Sequence, residues 1–144
     1  MMIQTEIEIK AKQEEVWKVF TDFSSYPEWN VYSKKIIGDP MSFLPFIGID
    51  YTASGIYAPY LFISDIIVYS HRFQFKAWGT INQVFSDVHN FVFIPIENHS
   101  TLFKHEAKLD GLLISLTPSK VFEEVKVNHE QMNQALKRRV ENIL

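Results

Sequence analysis

Apolar and polar side chains alternate over residues 3–9. Ile3, Thr5, Ile7 and Ile9 fall on one face and Gln4, Glu6 and Glu8 on the other. A period of two predicts a half-buried antiparallel strand. From Gln13 the period lengthens, and Val16, Trp17, Val19, Phe20 and Phe23 share a helical stripe that ends near Asp22–Ser24. Tyr26-Pro27-Glu28-Trp29-Asn30 reads as a second short helix or a tight turn, because Pro27 cannot occupy a helix interior.

The middle of the chain is rich in β-branched and aromatic residues. It predicts strands near Tyr32–Gly38, Gly48–Ala53, Tyr60–Tyr69, His71–Trp78, Phe85–Ile94 and Thr101–Leu109. Asp39-Pro40, Gly55, Gly79 and Glu97-Asn98-His99 are the expected turns. Thr117-Pro118 then supplies a capping residue followed by proline at a first helical position. Phe122, Val125, His129, Met132, Leu136, Val140 and Ile143 recur at spacings of four and three, one continuous helical face. Lys137, Arg138 and Arg139 suit the negative pole of that helix and read as a solvated end. The expected order is β–αα–βββββ(β)–α, with five or six strands in the middle, within one domain, residues 1–144.

This order implies a particular shape. Sequential strands joined by short turns form an antiparallel meander, which twists and curls. One helix of about 25 residues is about 37 Å long. It covers the concave face but cannot fill it, so either bulky side chains or a ligand must occupy the remainder. A void costs about 24 cal/mol per Å3, so a large empty space is rarely kept without use.

Composition sharpens this expectation. The chain has 12 Phe, 6 Tyr and 3 Trp, and flat rings line apolar pockets as well as ordinary cores. The 14 basic and 17 acidic residues give a net charge of −3, without the basic excess expected of a nucleic-acid binder. Cysteine is absent, which removes disulfides and thiolate metal sites and fits a cytoplasmic setting. The amino-terminal segment alternates charge with apolarity and reads as neither signal peptide nor anchor, and no stretch approaches a transmembrane span.

Four sets of residues resemble a known family. Ile7-x-Ile9-x-Ala11, Glu15-Val16-Trp17, Thr21-Asp22-Phe23, Tyr26 and Trp29-Asn30 are similar to the start of the START-related SRPBCC superfamily, which includes polyketide cyclase/dehydrase-like and pollen-allergen-like proteins. The others are His89-x-Phe91-x-Phe93-x-Pro95, then Thr101-x-Phe103-x-His105 running to Leu109-x-Gly111-Leu112-Leu113, and finally Met132 to Lys137. The resemblance implies an α+β helix-grip fold: a curved antiparallel sheet of six to seven strands around a long C-terminal helix, with two short helices after the first strand. Two positions depart from it. Val31 stands where similar proteins often carry proline, and Ala107 where they tend to carry glutamate. Glu106 is one place off and belongs to the opposite strand face.

His89, Phe91 and Phe93 share one strand face, as do Thr101, Phe103 and His105. With Trp78, His129, Met132 and Leu136 they are the candidate ligand-binding residues. His129 interrupts an apolar stripe, and its imidazole needs a partner, either a ligand oxygen or a neighbouring protein group. No HxH or HxxxH pair occurs, so neither metal nor cofactor is expected. Nor does a nucleophile elbow, and no catalytic residue is assigned. The apolar segment Met41-Ser42-Phe43-Leu44-Pro45-Phe46-Ile47 reads as a lid formed by Met41, Phe43, Leu44 and Phe46, as a dimer contact, or as an earlier start of the next strand. The leading functional expectation is a carrier of a small hydrophobic or amphipathic molecule (lipid, polyketide or isoprenoid), acting as monomer or homodimer. A cyclase or dehydratase with a cavity histidine as general acid–base is one alternative. A protein-interaction module is another.

Overall fold

The period-two segments pair into one seven-stranded antiparallel sheet, and the period-3.6 segments pack on its concave face. The computed structural model describes residues 1–52, 55–69, 72–81 and 84–143. The strands are β1 (Met2–Ile9), β2 (Ser33–Ile37), β3 (Phe46–Tyr51), β4 (Tyr57–Tyr69), β5 (Arg72–Ile81), β6 (Phe85–Ile96) and β7 (Ser100–Asp110). Their spatial order is β1-β7-β6-β5-β4-β3-β2, so the meander is completed by β1 pairing with the last strand. The helices are α1 (Gln13–Thr21), α2 (Tyr26–Trp29), α3 (Leu112–Ser115) and α4 (Ser119–Ile143). None is long and apolar enough to cross a membrane.

β4 links the two halves of the sheet. Its residues 57–62 pair with β3 and its residues 63–69 with β5, so the strand changes partner between Phe62 and Ile63. Gly79 lies within β5 beside this change of partner rather than in the expected turn. It pairs with Asp87 inside β5–β6, and a Cβ there would lie 2.7 Å from the Leu61 carbonyl oxygen. The Glu97–His99 turn forms as expected. Asn98 and His99 adopt φ of 61° and 56°, the left-handed pair that a tight hairpin requires.

Several boundaries differ from the sequence pattern. β3 starts at Phe46 rather than Gly48, so the apolar segment before it is partly strand. Ala53 and His71, expected strand ends, lie outside the described residues. Thr117 does not cap α4, because its hydroxyl donates to the Leu113 carbonyl at 2.7 Å and closes α3 instead. Ile143, the last residue of α4, is exposed rather than part of the buried face.

The concave face is filled by more than α4. Phe20 of α1 is fully buried, with ring centroids 4.8 Å from Phe91, 5.2 Å from Phe93 and 5.6 Å from Phe75. Trp17 lies edge-on to Phe93 at 5.2 Å. The roomy interior expected from a single covering rod is therefore largely occupied by rings from the first helix. α4 covers the β1–β7 side through Met132, Ala135, Leu136 and Val140. Asn133 on the same helix donates to the Thr5 hydroxyl at 2.9 Å.

Candidate functional site

Strand alternation aims Asp87, His89, Phe91 and Phe93 of β6, and Phe103, His105 and Ala107 of β7, at the interior. His89 stands opposite Ala107, whose methyl group leaves the imidazole room to lean toward its diagonal neighbour His105. His89 Nδ1 lies 2.9 Å from His105 Nε2, and His89 Nε2 lies 3.0 Å from a carboxylate oxygen of Asp87. His129 descends from α4 and stacks on His105, with centroids 4.0 Å apart. The Tyr32 ring meets His129 edge-on at 4.8 Å. Three imidazoles from three elements thus share one buried volume.

Burial and charge set these rings apart. For His89, burial lowers the pKa, but the charge and hydrogen bond of Asp87 outweigh it, and the result is a raised value. His105 and His129 are held well below the usual histidine range, first by burial and then by neighbouring imidazoles. Both are neutral rings in a dry site. Among the described residues, neither nitrogen of His129 has a hydrogen-bond partner, and Nδ1 of His105 also lacks one.

Beside the cluster is a cavity of about 50 Å3 with phenyl walls from Phe20, Phe46, Phe62, Phe75 and Phe91. Its polar side chains are those of Tyr26, Tyr32, Ser33, Asp50 and His89, and the Tyr26 hydroxyl is already taken up by the Phe20 carbonyl at 2.8 Å. Burial lifts the Asp50 carboxyl from 3.8 to about 6, although the Ser33 bond and His89 pull it down. Ser33 Oγ donates to Asp50 at 2.6 Å. Asn30 fixes this wall: its carboxamide oxygen accepts from the backbone N–H of Tyr32 at 3.0 Å and of Ser33 at 2.8 Å. A second space of about 180 Å3, a groove near Phe85, Phe122 and Val125, is also bounded by Tyr32 and Asp50. Tyr32 and Asp50 form the shared boundary between cavity and groove.

The predicted site residues divide. His89, Phe91 and Met132 line the cavity, and His105 and His129 join His89 behind it. Phe93, Phe103 and Leu136 are core residues rather than wall. Trp78 is half-buried and out of phase with Phe75 and Ala77, so it lies on the other face of the sheet, away from the cavity. The lid residues separate as well. Phe46 is 4% exposed and lines the cavity, whereas Met41, Phe43 and Leu44 are 39%, 61% and 65% exposed and do not. A short 3-10 turn at Pro40–Ser42, tied to β4 by a bond from the Ser64 hydroxyl to the Pro40 carbonyl, carries them outward. Tyr32, Asp50 and Asp87 were missed. The Ser33–Asp50 pairing across β2–β3 is a long-range contact with no local signal, and Asp87 gave one only in sharing a strand face with His89.

Known proteins resemble this chain in three dimensions but not in sequence. No protein-family model matches it, and no curated protein does. A START superfamily protein from Mycobacterium smegmatis aligns over 99% of both chains with a TM-score of 0.79 at 18% identity. Ara h 8.0201 aligns over 99% of this chain and 98% of its own, with a TM-score of 0.71 at 12% identity. A norcoclaurine synthase point mutant from Thalictrum flavum, in complex with a transition-state analogue, covers 99% of this chain and 94% of its own, with a TM-score of 0.71 at 14% identity. The fold is the START-like helix grip.

Proposed function

We propose that this protein binds a small amphipathic molecule, its apolar part among the phenyl walls and its polar end at Tyr32, Asp50 and His89. The observation that carries this reading is the make-up of the cavity lining: rings predominate, the Tyr26 hydroxyl is tied to the Phe20 carbonyl, and the remaining polar side chains are Tyr32, Ser33, Asp50 and His89. Pockets of this composition orient ligands through a few polar contacts and bind them through apolar burial, at roughly 25 cal/mol per Å2. The fold supports it too, since the norcoclaurine synthase neighbour holds a small molecule. A cavity of about 50 Å3 holds a few waters and no lipid. Uptake therefore requires Tyr32 to move aside and join the cavity to the groove it bounds.

Native mass spectrometry of the purified protein, followed by organic extraction, tests the reading directly. A retained molecule released on denaturation supports it. A ligand at a hundredfold excess over its Kd adds about 2.7 kcal/mol of stability. The reading fails if no molecule co-purifies and a panel of acyl, polyketide and isoprenoid compounds leaves the melting temperature unchanged.

One contact favours a second reading, acid–base catalysis on the bound molecule. The Asp87 carboxylate beside His89 is the orienting partner that a general base requires. Once a substrate is found, His89→Gln and Asp87→Asn should each lower kcat; unchanged turnover in both removes this reading.

A further inference from the structure

We propose that His89, His105 and His129 form a binding site for a borderline divalent transition-metal ion, with Zn2+ as the reference case. Each ring offers one nitrogen, and these atoms lie within 4.8 Å of one another. Tetrahedral Zn2+ with bonds of about 2.0–2.1 Å spaces its ligand nitrogens by about 3.3 Å. The 2.9 Å between His89 Nδ1 and His105 Nε2 has only to open slightly, and His129 has to swing inward.

The hydrogen bonds also point to an ion. Buried imidazole nitrogens are nearly always satisfied, and leaving one unpaired is costly. His129 is completely buried and both its nitrogens are unpaired among the described residues, which is the condition of a ligand awaiting its ion. Asp87 completes the pattern from outside. It accepts the Nε2 proton of His89, fixing the tautomer whose Nδ1 lone pair faces the other rings, as carboxylates behind metal-bound histidines do. In the metal-free state His105 donates its Nε2 proton to His89 Nδ1. On binding the ion, that proton moves to His105 Nδ1, so His105 ligates as a neutral ring.

The donor set selects the ion class. Three neutral imidazoles with neither thiolate nor carboxylate in the inner set suit Zn2+, Co2+, Ni2+ or Cu2+ and disfavour Mg2+ and Ca2+. Three protein ligands leave a fourth position for water or a ligand oxygen. Asp50 and Asp87 both face the groove and supply negative charge along an entry path.

The test uses chelator-treated full chain and ZnCl2 alone, by isothermal titration and by NMR of the histidine ring nitrogens. One Zn2+ per chain is expected, with the ring signals of His89, His105 and His129 shifting and that of the exposed turn residue His99 unmoved. His105→Gln and His129→Gln should each weaken binding more than about 100-fold, Asp87→Asn about 10- to 100-fold, and His99→Gln not at all. The ring spectra need no variant, so they decide the matter even if a substitution unfolds the chain. Absence of binding at millimolar Zn2+, or binding that leaves those three rings unshifted, overturns the proposal. No organic ligand is present, so that failure leaves the amphipathic-ligand reading standing, and a failed ligand panel leaves this one.

Discussion

His89 Nδ1 and His105 Nε2 lie 2.9 Å apart although the two residues are not register partners: His89 faces Ala107 and His105 faces Phe91. The contact is diagonal, across adjacent strands, and depends on the small residue at 107. Enlarging that residue should separate the rings. Ala107→Val is expected to lower stability by about 1–3 kcal/mol through overpacking, and to weaken any ligand or ion held by the pair. Urea unfolding and Zn2+ titration of the same variant measure both.

His129 carries two unsatisfied buried nitrogens. Replacing the ring by an apolar side chain of similar volume removes that penalty. His129→Met should stabilise the metal-free protein by roughly 1–3 kcal/mol in urea melts with chelator present. A loss of stability would mean that the imidazole has a partner in solution.

Asp50 gives the protein a pH signature. Its carboxyl titrates at 3.8 in the unfolded chain and at about 6 when folded, because burial disfavours the charged form. The folded state therefore binds the proton more tightly. The group costs nothing below pH 3.8, and its penalty grows as pH rises until it is complete above about 6. The difference corresponds to about 3 kcal/mol. Ser33, His89 and Asp87 are the groups that set it. Asp50→Asn keeps an oxygen for Ser33 and removes the charge. Its stability relative to the unaltered protein should rise between pH 4 and 6 and then level off.

Tyr32 and Asp50 separate the cavity from the groove, and Ala77 lines the cavity floor. Tyr32→Ala should join the two spaces and speed uptake of an apolar fluorescent probe. Ala77→Leu should fill the cavity and abolish uptake, at a cost of about 1–3 kcal/mol. Stopped-flow fluorescence distinguishes the two. Equal uptake by both variants would place the probe elsewhere.

Phe103 and Trp78 separate core from surface. Phe103 is fully buried, so Phe103→Ala should cost about 3–5 kcal/mol. Trp78, on the opposite sheet face, should leave probe binding unchanged when replaced by alanine. Thermal denaturation and probe titration of the two variants check this.

The element order and the facing of most strands were legible in the sequence, because periods of two and 3.6 are local properties. Ile3 and Ile9 of β1, and Phe122, His129, Met132, Leu136 and Val140 of α4, are buried where periodicity puts them. Boundaries were less legible. Gly79 looks like a turn from its neighbours, yet it serves a close approach to Leu61, 18 residues earlier. Met41, Phe43 and Leu44 look like a lid from their apolarity, but the 3-10 turn at Pro40 sends them to solvent.

The sequence by itself determined a curved antiparallel sheet with a long amphipathic helix, and it placed His89, His105 and His129 on interior faces. Tertiary structure alone decided how much space remains and what the histidines meet. Phe20 of α1 fills the concavity because two distant segments pack there, and the three imidazoles come together because α4 brings His129 onto the adjacent strands β6 and β7. Period and propensity act over a few residues, whereas cavity volume and ring convergence depend on contacts between residues far apart in the chain.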